Sequence, residues 1–430
     1  MADSFIWGLV RNWRYNRNKK KLLRNIDIEN DNAKGIVRYQ PSPIESFFNG
    51  QVYPSKIVVS GGVVEFRAGA ILGAGIAAYN QSIPAVVLHA GNRRLETIFD
   101  QEFAGGNYVR INSNNPIYDP LIGLSNAEIN KLFMSSAANG CEIKSAGKYY
   151  LDGVTDFIKS KGVNPYLDMY MNAPHMQLFD KIDQAEAQGR ISANAAQDIK
   201  SKIVQGQIER NNIEYFFDTL KQQGGGGGGV FATKQNISNA ESIKKVAERG
   251  GTVLIDILSS ANSQLVNLIA SEISIFLSTG QRLLLVIDSI SVEASEALSK
   301  ILKTNFQNCG FMLVSEDAYS ALGGNDSLFS SFVGSASKYV VFNHTSAISA
   351  GKWSQAIGDY DKHEVSKNYL NTANYNSAFS IIPGQTQGDN LNVSLKRENR
   401  VKPEEIMRMR SNEAYIYDAQ NQEFAYCEIT

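Results

Sequence analysis

The sequence predicts an α/β protein with a largely parallel sheet and an all-helical segment inserted into it. Three observations carry this. Short apolar runs that suit buried strands, such as Lys56-Ile57-Val58-Val59-Ser60 and Pro84-Ala85-Val86-Val87-Leu88-His89, alternate with a helical stretch. From residue 125 to about 223 the periodicity is helical throughout. The strand–helix alternation then resumes at Thr252 and continues to Phe342.

Composition narrows the class. A chain of 430 residues is long for one core, so at least two domains are expected. With 42 basic and 43 acidic residues, charge gives no general pull toward nucleic acid or membrane. Cys141, Cys309 and Cys427 are far apart and odd in number, which fits a reducing compartment. His89, His175, His344 and His363 form no metal-ligand spacing, so no metal is expected. No apolar run reaches the ~18–20 residues of a spanning helix, and the start lacks the order of a signal peptide.

In chain order, residues 11–24 hold seven cations and no acid: Arg11, Arg14, Arg17, Lys19, Lys20, Lys21 and Arg24. Trp7, Trp13 and Tyr15 sit among them. This arm suits an anionic membrane surface, a nucleic acid, or a solvated tail docking on a protein partner. Residues 25–50, polar with Pro41 and Pro43, read as a linker.

The strand Lys56 to Ser60, the turn at Gly61-Gly62 and an apolar helix to about Tyr79 have the topology of a phosphate-binding P-loop. A working loop, G-x-x-x-x-G-K-[ST], needs glycines for backbone approach, a lysine for phosphate charge and a hydroxyl for Mg²⁺. Counting from Gly61, those places fall on Phe66, Arg67 and Ala68, with Glu65 bringing like charge to the phosphates. A plainer reading of the stretch is a tight turn and a helix packed through glycine and alanine.

Further strands are expected at Tyr108 to Asn112, Thr252 to Ile257, Arg282 to Asp288, Phe311 to Ser315 and Lys338 to Phe342. Ser125-Asn126-Ala127-Glu128 is a capping-box start for the helical insertion. Helices are expected over 149–161, 166–187 and 192–221. The glycine run 224–229 reads as a flexible hinge. Beyond Gly358 the chain looks irregular as far as Lys402. The expected division is a basic segment and linker over 1–45, an α/β domain over 46–124 plus 225–430, and an all-alpha domain over 125–223.

In their order these pieces resemble the type IV coupling proteins, the RecA-like ATPases of bacterial conjugation and type IV secretion. The resemblance rests on the interrupted P-loop at Gly61, the stretch Asn115 to Leu124, and the Walker-B-like strand ending at Asp288. It also rests on Phe311 to Ser315 with Glu316-Asp317, on Phe342-Asn343-His344-Thr345-Ser346, and on Pro403 to Met409. It spans roughly residues 50–420. It implies a RecA-like P-loop NTPase fold with an all-alpha domain between the two nucleotide strands.

Against that family's pattern the nucleotide positions are degenerate. Ser289 follows Asp288 where a second carboxylate is usual, Glu316 stands at the sensor place, and His89 stands where an aspartate is common. No arginine lies between Arg282 and Arg397 to act as a finger, a loss that costs ~10³–10⁵ in rate. Asp288 also reads more simply as a cap on the following turn, and His344 as a hydrogen-bonded loop histidine.

The sequence therefore leaves three readings. One is a catalytically inactive structural or adaptor subunit of a type IV secretion or conjugation apparatus. The second is an active coupling ATPase, using ATP and magnesium, that moves DNA or protein. The third is a nucleic-acid-binding module using the basic arm. The resemblance implies secretion-system partners, association with copies or related ATPases, and a cytoplasmic place, peripheral at the membrane. The paired N-terminal membrane helices usual in the family have no counterpart in the sequence.

Overall fold

A computed structural model describes all residues except Met1, Asn139, 226–227, Asn305 and 374–384. The side chains of residues 2–12, 14, 15, 367–373 and 385–391 also lie outside the described set. The chain opens with α1 (Ala2–Lys34), β1 (Ile36–Arg38) and a single 3-10 segment, Ile44–Phe48. Next come β2 (Lys56–Ser60), α2 (Val64–Asn80), β3 (Ala85–His89), α3 (Arg93–Glu102) and β4 (Tyr108–Ile111).

The insertion holds α4 (Asn126–Ser136), α5 (Gly147–Ser160), α6 (Leu167–Met171), α7 (Leu178–Ala187), α8 (Ala193–Gly206) and α9 (Arg210–Gly224). It contains no strand among the described residues. Ser125 and Glu128 make both arms of the capping box. The expected helix over 166–187 is broken at Pro174, and that over 192–221 by a 3-10 turn, Gln207–Glu209. Proline removes a donor and clashes with the preceding turn, which explains the first break.

After α10 (Ile243–Glu248) the chain returns to the sheet with β5 (Thr252–Asp256), α11 (Ser263–Leu277), β6 (Leu283–Asp288) and α12 (Glu296–Thr304). Then come β7 (Cys309–Ser315), α13 (Ala318–Ala321), α14 (Asp326–Gly334), β8 (Lys338–Val341) and α15 (Ala347–Ile357). The last elements are β9 (Asp359–Ala373), β10 (Gln385–Asn399), α16 (Pro403–Arg408), β11 (Glu413–Asp418) and β12 (Glu423–Glu428).

Ten strands form one sheet in the order β1-β12-β11-β8-β2-β7-β6-β3-β5-β4. From β8 to β4 every neighbour is parallel. Parallel strands covered on both faces read as continuous apolar runs, which is why the sequence marks them. Alternate residues feed two cores. Ile57 and Val59 face a core with Ile71 and Ala74 of α2, while Val58 joins the core of α11 and the helical insertion. A Cβ on Gly73 would stand 2.9 Å from the Cα of Glu45, so glycine lets the 3-10 segment lie flat on α2.

Two expectations need correction. Residues 25–50 are not a plain linker. Helix α1 runs on to Lys34, β1 pairs in parallel with β12, and the 3-10 segment buries Ile44 and Phe48. Nor is 359–399 irregular: β9 and β10 pair antiparallel in register from Asp359↔Asn399 to Ala373↔Gln385. Both edges are polar, with few apolar alternations to signal a strand. The Asn30 side chain donates to the His363 carbonyl at 3.1 Å and accepts from the His363 N–H at 2.7 Å, tying α1 to β9. In the glycine run, Val230 and Phe231 N–H groups both donate to the Gly224 carbonyl. Its hinge centre, Gly226 and Gly227, lies outside the described residues.

Candidate functional site

In parallel sheets ligands sit beyond the carboxyl ends of the strands, where the connections diverge to either side. Here that point lies at β2. The chain leaves β2 for β3 on one side, and β8 flanks it on the other. Beyond β2 there are only three residues, Gly61, Gly62 and Val63, before α2 begins at Val64. Both glycines have left-handed backbones, with φ of +83° and +75°. A Cβ on Gly61 would stand 2.7 Å from the Asn343 carbonyl oxygen, and one on Gly62 would stand 2.8 Å from Cγ of Phe342. Glycine is needed there for conformation and for space.

The structure places Glu65, Phe66, Arg67 and Ala68 in the first turns of α2, in line with the expected helix after Gly61-Gly62. Glu65 is exposed and Ala68 is fully buried. Phe66 stacks on Phe342, with ring centroids 5.8 Å apart and 5° between planes. Arg67, only 5% exposed, folds back over the turn. It donates to the Gly62 carbonyl at 2.6 Å and to Glu316 Oε1 at 3.2 Å. Glu316 is otherwise in solvent, its side chain 80% exposed. The space above the turn is thus held by an aromatic pair and a guanidinium.

Ser60, at the end of β2, is a buried hub. Its Oγ accepts from Trp353 Nε1 at 3.1 Å and from the Ala318 N–H at 3.0 Å. It lies 3.0 Å from His344 Nε2. A hydroxyl has two acceptor sites and one proton, so with both acceptors used Ser60 donates to His344 Nε2. That places the histidine proton on Nδ1 and makes the ring neutral. Burial pushes the His344 pKa down, against an upward pull from Asp317. Asp317 caps α13 and accepts from Ser349 Oγ at 2.5 Å.

Asp288 ends β6, buried, with one donor on each oxygen. Its Oδ2 accepts from Asn92 Nδ2 at 2.7 Å and its Oδ1 from Ser289 Oγ at 2.9 Å. Asn92 in turn caps α3 by accepting from the Leu95 N–H. His89 lies one strand over, on β3 paired with β6, and its Nδ1 accepts from the Asn92 N–H at 3.1 Å. Nε2 therefore carries the proton, 3.9 Å from Glu96 Oε1. Burial lowers the His89 pKa, opposed by Asp256, Glu96 and Asp288. Asp256 is occupied by the N–H groups of Gly91 and Leu258.

These residues do not fit magnesium–nucleotide. A phosphate cradle needs a run of loop N–H groups and here the turn is three residues long. Asp288 already accepts one hydrogen bond at each oxygen, Ser60 gives its proton to His344, and Ala68 offers no ligand. No group of three or more His, Cys, Asp or Glu among the described residues has metal-holding geometry.

The basic arm lies on α1. Trp13, Arg17, Lys20, Lys21 and Arg24 recur at helical spacing and line one concave face. Trp13 is 60% exposed and the Arg17 guanidinium sits 5.4 Å from its ring centre. Lys19 is on the same helix; the side chains of Arg11 and Arg14 lie outside the described residues. No helix among the described residues is long and apolar enough to cross a membrane.

Sequence reasoning singled out Gly61, Asp288, Ser289 and Glu316 but missed Trp353, Asn92 and the packing of Phe342 against the glycine turn. Phe342-Asn343-His344 was visible as a stretch. What it covers depends on β8 lying beside β2, which no local signal carries.

No protein-family model matches the chain, and no curated protein matches it. Among solved structures, the bacterial conjugative coupling protein TrwBdeltaN70 in its unbound monoclinic form aligns with a TM-score of 0.50 at 12% identity. That alignment covers 90% of each chain. The fold is that of a conjugative coupling protein. Plasmid coupling protein TrwB in complex with ADP and Mg²⁺ gives a TM-score of 0.47 at 12% identity, over 88% of this chain and 86% of that one. VirB4 of Thermoanaerobacter pseudethanolicus gives 0.43 at 9% identity, over 87% and 89%. The expected RecA-like α/β P-loop NTPase fold is therefore present, with its mostly parallel ten-stranded sheet.

Proposed function

We propose that this chain is a coupling-protein-like component of a type IV secretion or conjugation apparatus, acting as a structural or adaptor subunit without ATP hydrolysis. The closed turn at Gly61 to Val63 carries the reading. The fold is kept while Phe342 packs on Gly62, Phe66 stacks on Phe342 and Arg67 closes on the Gly62 carbonyl. The degenerate positions at Glu65, Ala68, Asp288, Ser289 and Glu316 support it. No cofactor is assigned, and partners are other components of such an apparatus, including copies or active relatives. ATP turnover by the purified chain tests this. The expected rate is indistinguishable from buffer with or without Mg²⁺, and turnover abolished by Arg67→Ala would restore the motor reading.

The exposed face of α1 supports a second element, peripheral attachment to an anionic membrane surface. Cations beside an exposed tryptophan suit a headgroup layer, at ~1 kcal/mol per basic residue. Flotation with anionic vesicles should be lost on deleting residues 1–24. Binding to single-stranded DNA with no flotation would replace the membrane by nucleic acid.

A further inference from the structure

The break at Pro174 opens a gap in the helical insertion. The sequence pattern runs one helix over 166–187, whereas α6 stops at Met171 and α7 starts at Leu178. The start of α6 is held at the junction with the loop from Asn115 to Leu124, where the Leu167 N–H donates to Asp119 Oδ1 at 3.4 Å. Between α5, α6, the bend at Ala173-Pro174 and the first residue of α7 lies a cavity of about 250 Å³. That is just below the usual range for drug-sized ligands, so it suits a small one.

The lining is mostly apolar. Val154, Phe157 and Ile158 come from α5, Met169 from α6 and Leu178 from α7. Two exposed lysines, Lys161 and Lys234, stand on the same lining. Lys161 caps the C-terminus of α5, and its Nζ sits 4.1 Å from the centre of the Phe157 ring. Lys234 comes from beyond the glycine run, in a turn where the Asn236 side chain accepts from the Thr233 N–H at 2.7 Å. Asn236 Nδ2 anchors that turn on the Pro116 carbonyl, also at 2.7 Å.

Among the described residues neither ammonium pairs with a carboxylate. The acid on the lining, Asp168, accepts instead from Asn172 Nδ2 at 2.7 Å. Burial lowers the Lys161 pKa, and the positive charges of Arg190 and Lys181 lower it further. Positive charge is therefore gathered, without neutralisation, over an apolar floor. An anion placed there would relieve the repulsion between these cations.

We propose that this cavity is a binding site for a small carboxylate with a short apolar body. The carboxylate takes the Lys161 and Lys234 ammonium groups as partners, and the apolar part rests on Ile158, Met169 and Leu178. Lys161 belongs to the insertion and Lys234 to the segment that returns to the sheet. An occupied site thus ties the two together across the glycine run. Nothing in the nucleotide region is required for this.

The test is thermal unfolding of the full chain with sodium hexanoate, against 1-hexanol, hexylammonium chloride and sodium acetate at equal ionic strength. The expected result at about pH 7.5 is a saturable rise in Tm with hexanoate, none with the alcohol or the amine, and a several-fold weaker effect with acetate. Lys161→Gln, at an exposed position, should abolish the rise, and Lys234→Gln should weaken it several-fold. Ala173→Leu, which narrows the cavity at a half-buried position and leaves both cations, should also abolish it. No saturable rise, an equal rise with 1-hexanol, or an equal rise in Lys161→Gln overturns the proposal.

Discussion

The turn beyond β2 and the junction at Asp119 use buried polar groups in opposite ways. Around β2 most polar groups at the degenerate nucleotide positions hold protein partners, Arg67 Nε and His89 Nε2 excepted. Ser60 holds Trp353, Ala318 and His344; Asp288 holds Asn92 and Ser289; Arg67 closes on the Gly62 carbonyl. At Asp119 one carboxylate oxygen (Oδ2) of a group with a raised pKa is buried without a protein donor. The first region behaves as core and should respond to mutation by losing stability. The second carries a destabilising group, so removing it should raise stability.

The largest effect is expected at the plug. Phe342→Ala deletes a fully buried ring that stacks on Phe66 and should cost about 3–5 kcal/mol in urea unfolding. Gly62→Ala should cost roughly 2–4 kcal/mol, from left-handed strain and from overlap with the Phe342 ring. A Phe342→Leu change added to Gly62→Ala should recover part of that loss. If both single variants unfold like the wild type, the turn is not packed as core and the contrast with Asp119 fails.

Next comes Asp119→Asn, with the opposite sign. The folded pKa of about 6 lies above the ordinary 3.8, so Asp119 adds stability at low pH. That contribution is complete below about pH 4 and is lost as pH rises through about 6. At ~1.4 kcal/mol per pKa unit, the buried charge costs on the order of 3 kcal/mol at neutral pH. The asparagine variant should therefore be more stable than wild type at about pH 7.5, by roughly 1–3 kcal/mol, and equal to it at about pH 4. Equal stability at both pH values would show that Oδ2 is well solvated. The smallest effect belongs to Glu316→Gln. This carboxylate pairs with Arg67 but is mostly in solvent, so the change should stay within about 0.5 kcal/mol. A larger loss would make the sensor-place residue part of the plug.

The same comparison marks what a sequence can reveal. Strands β2, β3, β5, β6, β7 and β8 were legible because burial on both faces leaves nearly unbroken runs of Val, Ile and Leu. Ser125 with Glu128 named the start of the insertion. The β9–β10 hairpin was not, because its described side chains are none of them buried and its strands pair through mixed polar residues such as Asp361 with Arg397. The extension of α1 past residue 24 depends on Asn30 reaching the β9 backbone, a contact more than three hundred residues away.

At the nucleotide place the residue types were legible and their geometry was not. The turn at Gly61-Gly62 and a helix to about Tyr79 were expected, and α2 spans Val64–Asn80; that Phe66 stacks on Phe342 and Arg67 closes on the Gly62 carbonyl was not legible. The shortened turn is a stronger departure from a phosphate cradle than any single substitution. Asp119 was visible only as part of a loop. Whether a carboxylate oxygen finds a donor is decided by the packing of elements that the local pattern does not fix, here the approach of α6.

The central claim is that the region beyond β2 has become core, and equilibrium ATP binding tests it most directly. Purified chain should show no saturable uptake of labelled ATP into the millimolar range, with or without Mg²⁺. It should show none for Arg67→Ala either. Saturable micromolar binding by the wild type, lost on Arg67→Ala, would contradict the account and identify Arg67 as a phosphate ligand.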